Sequence, residues 1–234
     1  MKRKSYKTPT QQVSFLDDTH PVMPVLDVSR CEARLINYET AARMVETHHY
    51  AHRVPSIVVA VGMFVDGVLA GVCTYGSPPN NNLCIAFGEE NKGNVLELNR
   101  LFIFDYAGKN SESWLVGQSY HFLDTPKILI SYADIGQNHI GYIYQAVNWL
   151  YTGLGNTGGS GSREKIINGL RMHAKTINNF YGTIKREQLY ALGLEVEEIE
   201  KSFKHRYVYF LGNKRQRKQL RQALKWPVLP YPKG

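Results

Sequence analysis

The chain has 234 residues, 43% of them hydrophobic and 12% aromatic, with 28 Lys/Arg against 20 Asp/Glu for a formal net charge of +8. That composition supports a packed core and excludes wholesale disorder, and no apolar run approaches the roughly 18 residues a membrane helix needs. Cys31, Cys73 and Cys84 show no CxxC spacing, which argues against a zinc finger or a disulfide framework and points to a reducing, cytoplasmic setting.

The N-terminal residues 1–9 carry four Lys/Arg with no acid and no apolar stretch behind them, so a secretory signal is not expected. Residues 37–49 read as a helix, with Asn37 as cap and Ala41, Met44, Val45 and His48 on one face. Two Val/Ile-rich runs, 56–65 and 68–75, flank Asp66-Gly67, a strong hairpin signal. A loop follows over 77–93, then a strand over 95–104 and a helix over 111–123 capped by Asn110 or Ser111. Residues 126–134 predict a strand ending on a polar residue, Asp134. Ile140, Ile143, Tyr144 and Val147 lie at helical spacing, predicting a helix over 139–151. The Gly/Ser-rich stretch 153–162 reads as a linker. Beyond it come a basic segment, a helix from Thr183 to a stop at Gly193, and a last strand over 207–211.

The order of elements predicts an α/β fold, a mixed central sheet flanked by helices. The domain reading is a core over 25–152, an inserted basic and helical region over 153–203, a last core strand over 204–212 and a basic tail over 213–234. Residues 201–234 hold ten Lys/Arg and no acid. With the four at the other end, they leave a middle richer in acid than base. Basic ends around such a middle suit contacts with phosphates, although a solvated tail gives the same pattern. Lys/Arg alternating with Tyr181, Tyr207, Tyr209 and Trp226 makes Arg163, Arg171, Lys175, Lys204, Arg206, Lys214 and Arg215 candidate nucleic-acid contacts.

Residues 131–149 read Ser-Tyr-Ala-Asp-Ile-Gly-Gln-Asn-His-Ile-Gly-Tyr-Ile-Tyr-Gln-Ala-Val-Asn-Trp. This string resembles the signature of the phage Mom family. Further agreement comes from His49-Tyr50, residues 97–101, residues 110–114 and residues 204–210, so the resemblance spans roughly positions 45–211. It implies a GNAT-like fold and conversion of adenine N6 in double-stranded DNA to a methylcarbamoyl derivative, a mark that protects phage DNA from restriction. Two positions depart from the patterns. Asn138 stands where the family has glycine, and residues 109–114 lack the glycines with which GNAT enzymes hold coenzyme A. An acetyl-coenzyme A-like acyl donor therefore loses its usual turn, and the donor and any metal ion stay open.

Chemistry at adenine N6 needs a proton acceptor, a donor for the leaving group and room for an extruded base. Asp134 is the candidate acceptor, with helix capping as its alternative. The resemblance places an acidic tyrosine at Tyr144, for which core packing is the alternative and Tyr142 a substitute. His49 and Tyr50 are expected at the substrate. Arg100, on an otherwise apolar strand face, needs a phosphate, a carboxylate or a structural partner such as Glu97 or Asp105. Asn110, Ser111 and Ser113 are candidate donor contacts. His48, His49 and His52 have near-metal spacing, but no HExxH pattern, so a metal site is not expected there. Two competing functions remain: an acetyltransferase acting on a protein or small amine, and a non-catalytic DNA-binding protein.

Overall fold

A computed structural model describes residues 24–49, 53–155, 163–172, 174–200 and 202–233. Local sequence sets most element ends. Asn37 accepts a hydrogen bond from the Thr40 amide at the start of helix α1 (Tyr38–His48), a cap worth about 1 kcal/mol. Strand β1 (Cys31–Leu35) precedes it, and β2 (Val59–Val65) and β3 (Val68–Gly76) follow as the expected hairpin. At its tip Asp66 and Gly67 both adopt positive φ, 48° and 80°, the twist that joins antiparallel strands with two residues. The chain continues through α2 (Asn81–Cys84), β4 (Val95–Ile103), α3 (Ser111–Ser119), β5 (Lys127–Asp134), α4 (Tyr142–Ala146) and β6 (Leu150–Gly155).

Seven strands form one sheet in the order β1-β2-β3-β4-β5-β10-β6, where β10 is Lys204–Leu211. Every pair is antiparallel except β4 and β5. Leu96, Leu98, Leu129, Ala133 and Tyr207 lie in the largest core with Leu115, Val116, Tyr144 and Trp149. This first face is covered by α3 and α4. The alternate residues build two cores on the second face. Ala60 and Val72 pack with Ala41 and Val45 of α1, and Ile128, Ile130, Val208 and Phe210 pack with Leu220 of α7 (Lys214–Gln222). The α/β expectation of a mixed sheet between helices is met.

The structure departs from the expected elements in four places. The helix predicted over 139–151 stops at Ala146, because Asn148 turns to φ 60° and the following Leu-Tyr-Thr run pairs with β10 as β6. Residues 153–155 therefore belong to the main sheet and not to a linker. The insertion contains an unexpected antiparallel sheet, β8-β7-β9, made of β7 (Arg163–Ile167), β8 (Leu170–Met172) and β9 (Val196–Glu200). Together with α5 (Ala174–Tyr181) and α6 (Arg186–Ala191) it closes its own small core of Ile167, Ile177, Leu189 and Val196. Finally, the basic tail, to which the sequence assigns no element, contains a helix: α7 carries an Asn213/Gln216 capping box, and the segment after it lies along β6 through Leu229 N–H to Tyr151 O, 2.9 Å, and Tyr231 Oη–H to Trp149 O, 2.9 Å.

Candidate active site

The parallel β4–β5 ladder has only three register pairs, ending at Glu97↔Ile130. Beyond them the two strands diverge, and the space between holds a cavity of about 780 Å³, within the range of small-molecule sites. On the first-face side Ser131 Oγ donates to Leu98 O at 2.7 Å, standing in for the lost ladder, and shares a 2.7 Å hydrogen bond with the Tyr144 hydroxyl. On the second-face side stand Glu97, Tyr132 and Lys204, with Arg100 and His49 along the wall toward α1.

A β-bulge explains how Arg100 reaches this wall. Simple alternation puts Arg100 with Leu96 and Leu98, but the register with β3 slips between Thr74↔Arg100 and Tyr75↔Leu98. Asn99 is the extra residue. Its amide is held between Thr74 Oγ1, 2.7 Å, and Ser56 O, 2.8 Å. Past the bulge Leu101 and Ile103 take up the apolar face and Arg100 turns into the cavity, the re-aiming that bulges provide. Its guanidinium donates to the carbonyls of Arg53 and Asn99.

The cavity changes the chemistry of Glu97. Burial pushes its carboxyl up to about 7, against the pull of Arg100 and Lys204. A carboxyl poised there can take a proton near neutral pH. Burial and the Glu97 charge push the neighbouring Tyr132 phenol up to about 12. Glu97, Ser131, Tyr132 and His139 all line the cavity, and the sequence reading gave none of them a catalytic role. Glu97, a charged residue inside an apolar strand, carries a visible signal, but the sequence uses it only within the family resemblance over residues 97–101 and as a partner for Arg100.

Of the expected residues, Tyr144, His49 and Arg100 line the cavity, as does Lys204. Asp134 is not among the lining residues. By alternation it falls on the second face with Ile130 and Tyr132, away from the face on which Tyr144 packs. Its carboxylate accepts from the Gly136 amide at 2.9 Å and from Ser202, and pairs with Lys204 at 3.3 Å. Burial alone would raise it, but the Ser202 hydrogen bond and the Lys204 charge outweigh this and hold it below the usual carboxylate range. Asp134 thus caps the turn it precedes and holds Lys204 at the cavity wall. Tyr142 is exposed. His48 packs against the rings of Phe102 and Phe104, 5.4 and 4.9 Å between centroids. Tyr50 and His52 lie outside the described residues, among which no three metal-ligating side chains converge.

The start of α3 does not fit a coenzyme A diphosphate. Asn110 takes the left-handed turn at φ 75°, Ser111 and Ser113 spend their hydroxyls on Gly108 O and Asn110 O, and Glu112 presents a carboxylate at the first turn beside the cavity. Arg206 is turned inward, donating to Thr152 Oγ1 and O at 2.9 and 3.0 Å, with its guanidinium 3.6 Å over the Trp226 ring. Lys214 and Arg215 are exposed at the start of α7. The backbones of Arg163, Arg171 and Lys175 stand in β7, β8 and α5.

A mixed seven-stranded sheet with one parallel pair that opens over a cavity, helices on both faces, defines the class as α/β. The chain belongs to the Mom protein family, which matches residues 30–233. It is 30% identical over 203 residues, 82% of this chain and 80% of the relative, to methylcarbamoylase mom of Escherichia phage Mu. Similar solved structures include a probable acetyltransferase from Staphylococcus epidermidis ATCC 12228, with a TM-score of 0.44 and 10% identity over 78% of this chain and 99% of that one. An N-acetyltransferase from Staphylococcus aureus Mu50 has a TM-score of 0.42 and 12% identity over 78% and 99%. No described helix is long and apolar enough to cross a membrane.

Proposed function

We propose that this chain is a transferase that places a methylcarbamoyl, or closely related carbonyl-bearing, group on N6 of adenine in double-stranded DNA. Membership of the Mom family supports the reaction. The observation that carries the site is a cavity with a proton acceptor near neutrality on one wall, Glu97, and a hydroxyl pair, Ser131–Tyr144, on the other.

Adenine N6 is a weak nucleophile because its lone pair is delocalised into the ring. The amine attacks the carbonyl carbon of an activated donor, and Glu97 takes the N6 proton as the new C–N bond forms. The donor's leaving group departs with its bonding electrons and receives a proton from the Tyr144 hydroxyl, which Ser131 aligns. Arg100, Lys204 and His49 orient the base and the donor carbonyl. Asp134 acts through Lys204 and so is a positioning residue. The adenine enters as an extruded base, since its N6 is engaged in the duplex.

The donor's chemical class is an activated carbonyl compound. The start of α3, with Glu112 at its first turn, gives no support to coenzyme A as that donor or to the competing reading of an ordinary acetyltransferase. In this reading the enzyme works on phage DNA in the host cytoplasm and guards it from restriction. The test is mass spectrometry of nucleosides from plasmid DNA of expressing cells. Wild type yields a modified adenosine and Tyr144→Phe reduces it about 100-fold. Unmodified adenosine with soluble, folded wild type overturns the function.

A further inference from the structure

The cations of the chain's basic C-terminal region are not spread evenly over its surface. Lys214, Arg217, Lys218 and Arg221 recur on α7 at i, i+3, i+4 and i+7, which places them in one stripe. All four are exposed, and the opposite side of the helix buries Leu220 with Gln216, Ala223 and Leu224 partly covered. Residues 201–234 contain no acid to neutralise the stripe, and among the described residues none of the four pairs with a carboxylate. Lys214 and Arg215 also occupy the first turn, where the helix dipole disfavours positive charge. The capping box and Leu220 hold the helix in place against that repulsion. A cationic stripe with no counter-charge on it among the described residues marks a surface that meets its counter-charge elsewhere.

The position of α7 matters as much as its charge. It packs on the second sheet face with Ile128, Ile130, Val208 and Phe210, the face on which Glu97, Tyr132 and Lys204 border the cavity. The Arg206–Trp226 stack fastens the chain just after the helix to β10. By contrast, residues 163–200 carry six Lys/Arg and six Asp/Glu, a balanced composition.

We infer that the α7 stripe is the surface on which the phosphate backbone of duplex DNA docks, holding the duplex on the side from which adenine enters the cavity. The inference rests on the proposed function for its choice of partner and adds where that partner sits. The stripe is about 10 Å long at 1.5 Å per residue, enough to reach about three successive phosphates of one strand at 3.4 Å of axial rise each.

The test is binding of the full chain to a fluorescent duplex, followed by anisotropy across a salt series. The variant is Lys214→Gln, Arg217→Gln, Lys218→Gln and Arg221→Gln combined, scored beside Lys185→Gln with Arg186→Gln in the balanced region. The α7 variant loses affinity about 100-fold, and its log-affinity against log-salt slope becomes shallower by about 3, at about 0.9 per phosphate contact. The pair at 185 and 186 leaves both unchanged. Lys214→Arg with Lys218→Arg keeps affinity and slope, which separates charge from damage to the helix. An α7 variant that is folded by circular dichroism and binds with wild-type slope overturns the inference. Nucleoside analysis of the same proteins keeps the two readings apart. Modified adenine with an unchanged slope removes the α7 surface alone, whereas a lost slope with no modified adenine from wild type keeps the surface and removes the adenine chemistry.

Discussion

The two edges of β5 make a natural experiment within one strand. Toward β10 all eight residues from Lys127 to Asp134 are paired, and the ring-rich core of Trp149, Tyr207 and Tyr209 lies beneath. Toward β4 the ladder stops after three pairs, and in the gap collect Glu97, Arg100, Ser131, Tyr132 and Tyr144. One edge spends its backbone groups on the sheet. The other withholds them and gives the space to ionisable and hydroxyl side chains, to which the proposed reaction assigns the proton transfers. Chemistry and stability are thereby assigned to opposite sides of a single strand.

Substitutions on the two sides sharpen that contrast. Glu97→Gln removes the proton acceptor while keeping size and shape, and the modified-nucleoside yield falls by about 10²–10⁴-fold. Trp149→Ala, on the closed side, acts mainly on stability. This fully buried ring donates to Tyr120 Oη at 2.7 Å and stacks on Tyr209. Its loss costs about 3–5 kcal/mol of stability in denaturant unfolding, and because the ring also packs against Tyr144, 5.3 Å between centroids, the yield per folded protein falls too, but by less than in Glu97→Gln. A Trp149→Ala protein of wild-type stability breaks the comparison.

Smaller effects follow. Asp134→Asn removes the charge that holds Lys204 at 3.3 Å; modification falls, and by less than in Glu97→Gln, because no reacting atom is lost. An equal or larger loss assigns Asp134 a direct part in the reaction. The smallest effect is a pH dependence of stability. The carboxyl of Glu97 is raised in the folded state from 4.5 to about 7, so the native chain binds more protons than the unfolded one between those values. The stability linked to Glu97 is fully present below about pH 4.5 and is lost as pH rises through about 7. Glu97→Gln therefore raises the melting temperature relative to wild type at pH 8 more than at pH 5. A difference that is flat across that range contradicts the raised pKa.

Much of the fold was legible because it is written locally. Asn37, Asp66-Gly67 and the β-branched runs each specify an element through its own backbone chemistry. What failed to show was non-local. Residues 150–155 become a strand only because β10, fifty residues later, pairs with them, and the 163–200 sheet likewise joins β7 to the distant β9. The site divided the same way. Tyr144, Arg100, His49 and Lys204 carried visible signals and stand at the cavity, whereas the role of Glu97 depends on burial created by the opening of two strands. Period-2 counting placed Arg100 on the wrong face because a bulge at Asn99 leaves no mark in alternation. Asp134 has two readings from its place at a strand end, proton acceptor or cap, and a turn amide, Ser202 and Lys204 claim its oxygens.

In the proposed reaction the open edge of β5 is where adenine loses its N6 proton. The most direct measurement compares modified adenosine, per mole of folded enzyme, between wild type and Glu97→Gln in plasmid DNA from expressing cells. The expected result is a modified nucleoside from wild type and almost none from Glu97→Gln, with both proteins equally folded. Equal yields from the two would contradict it.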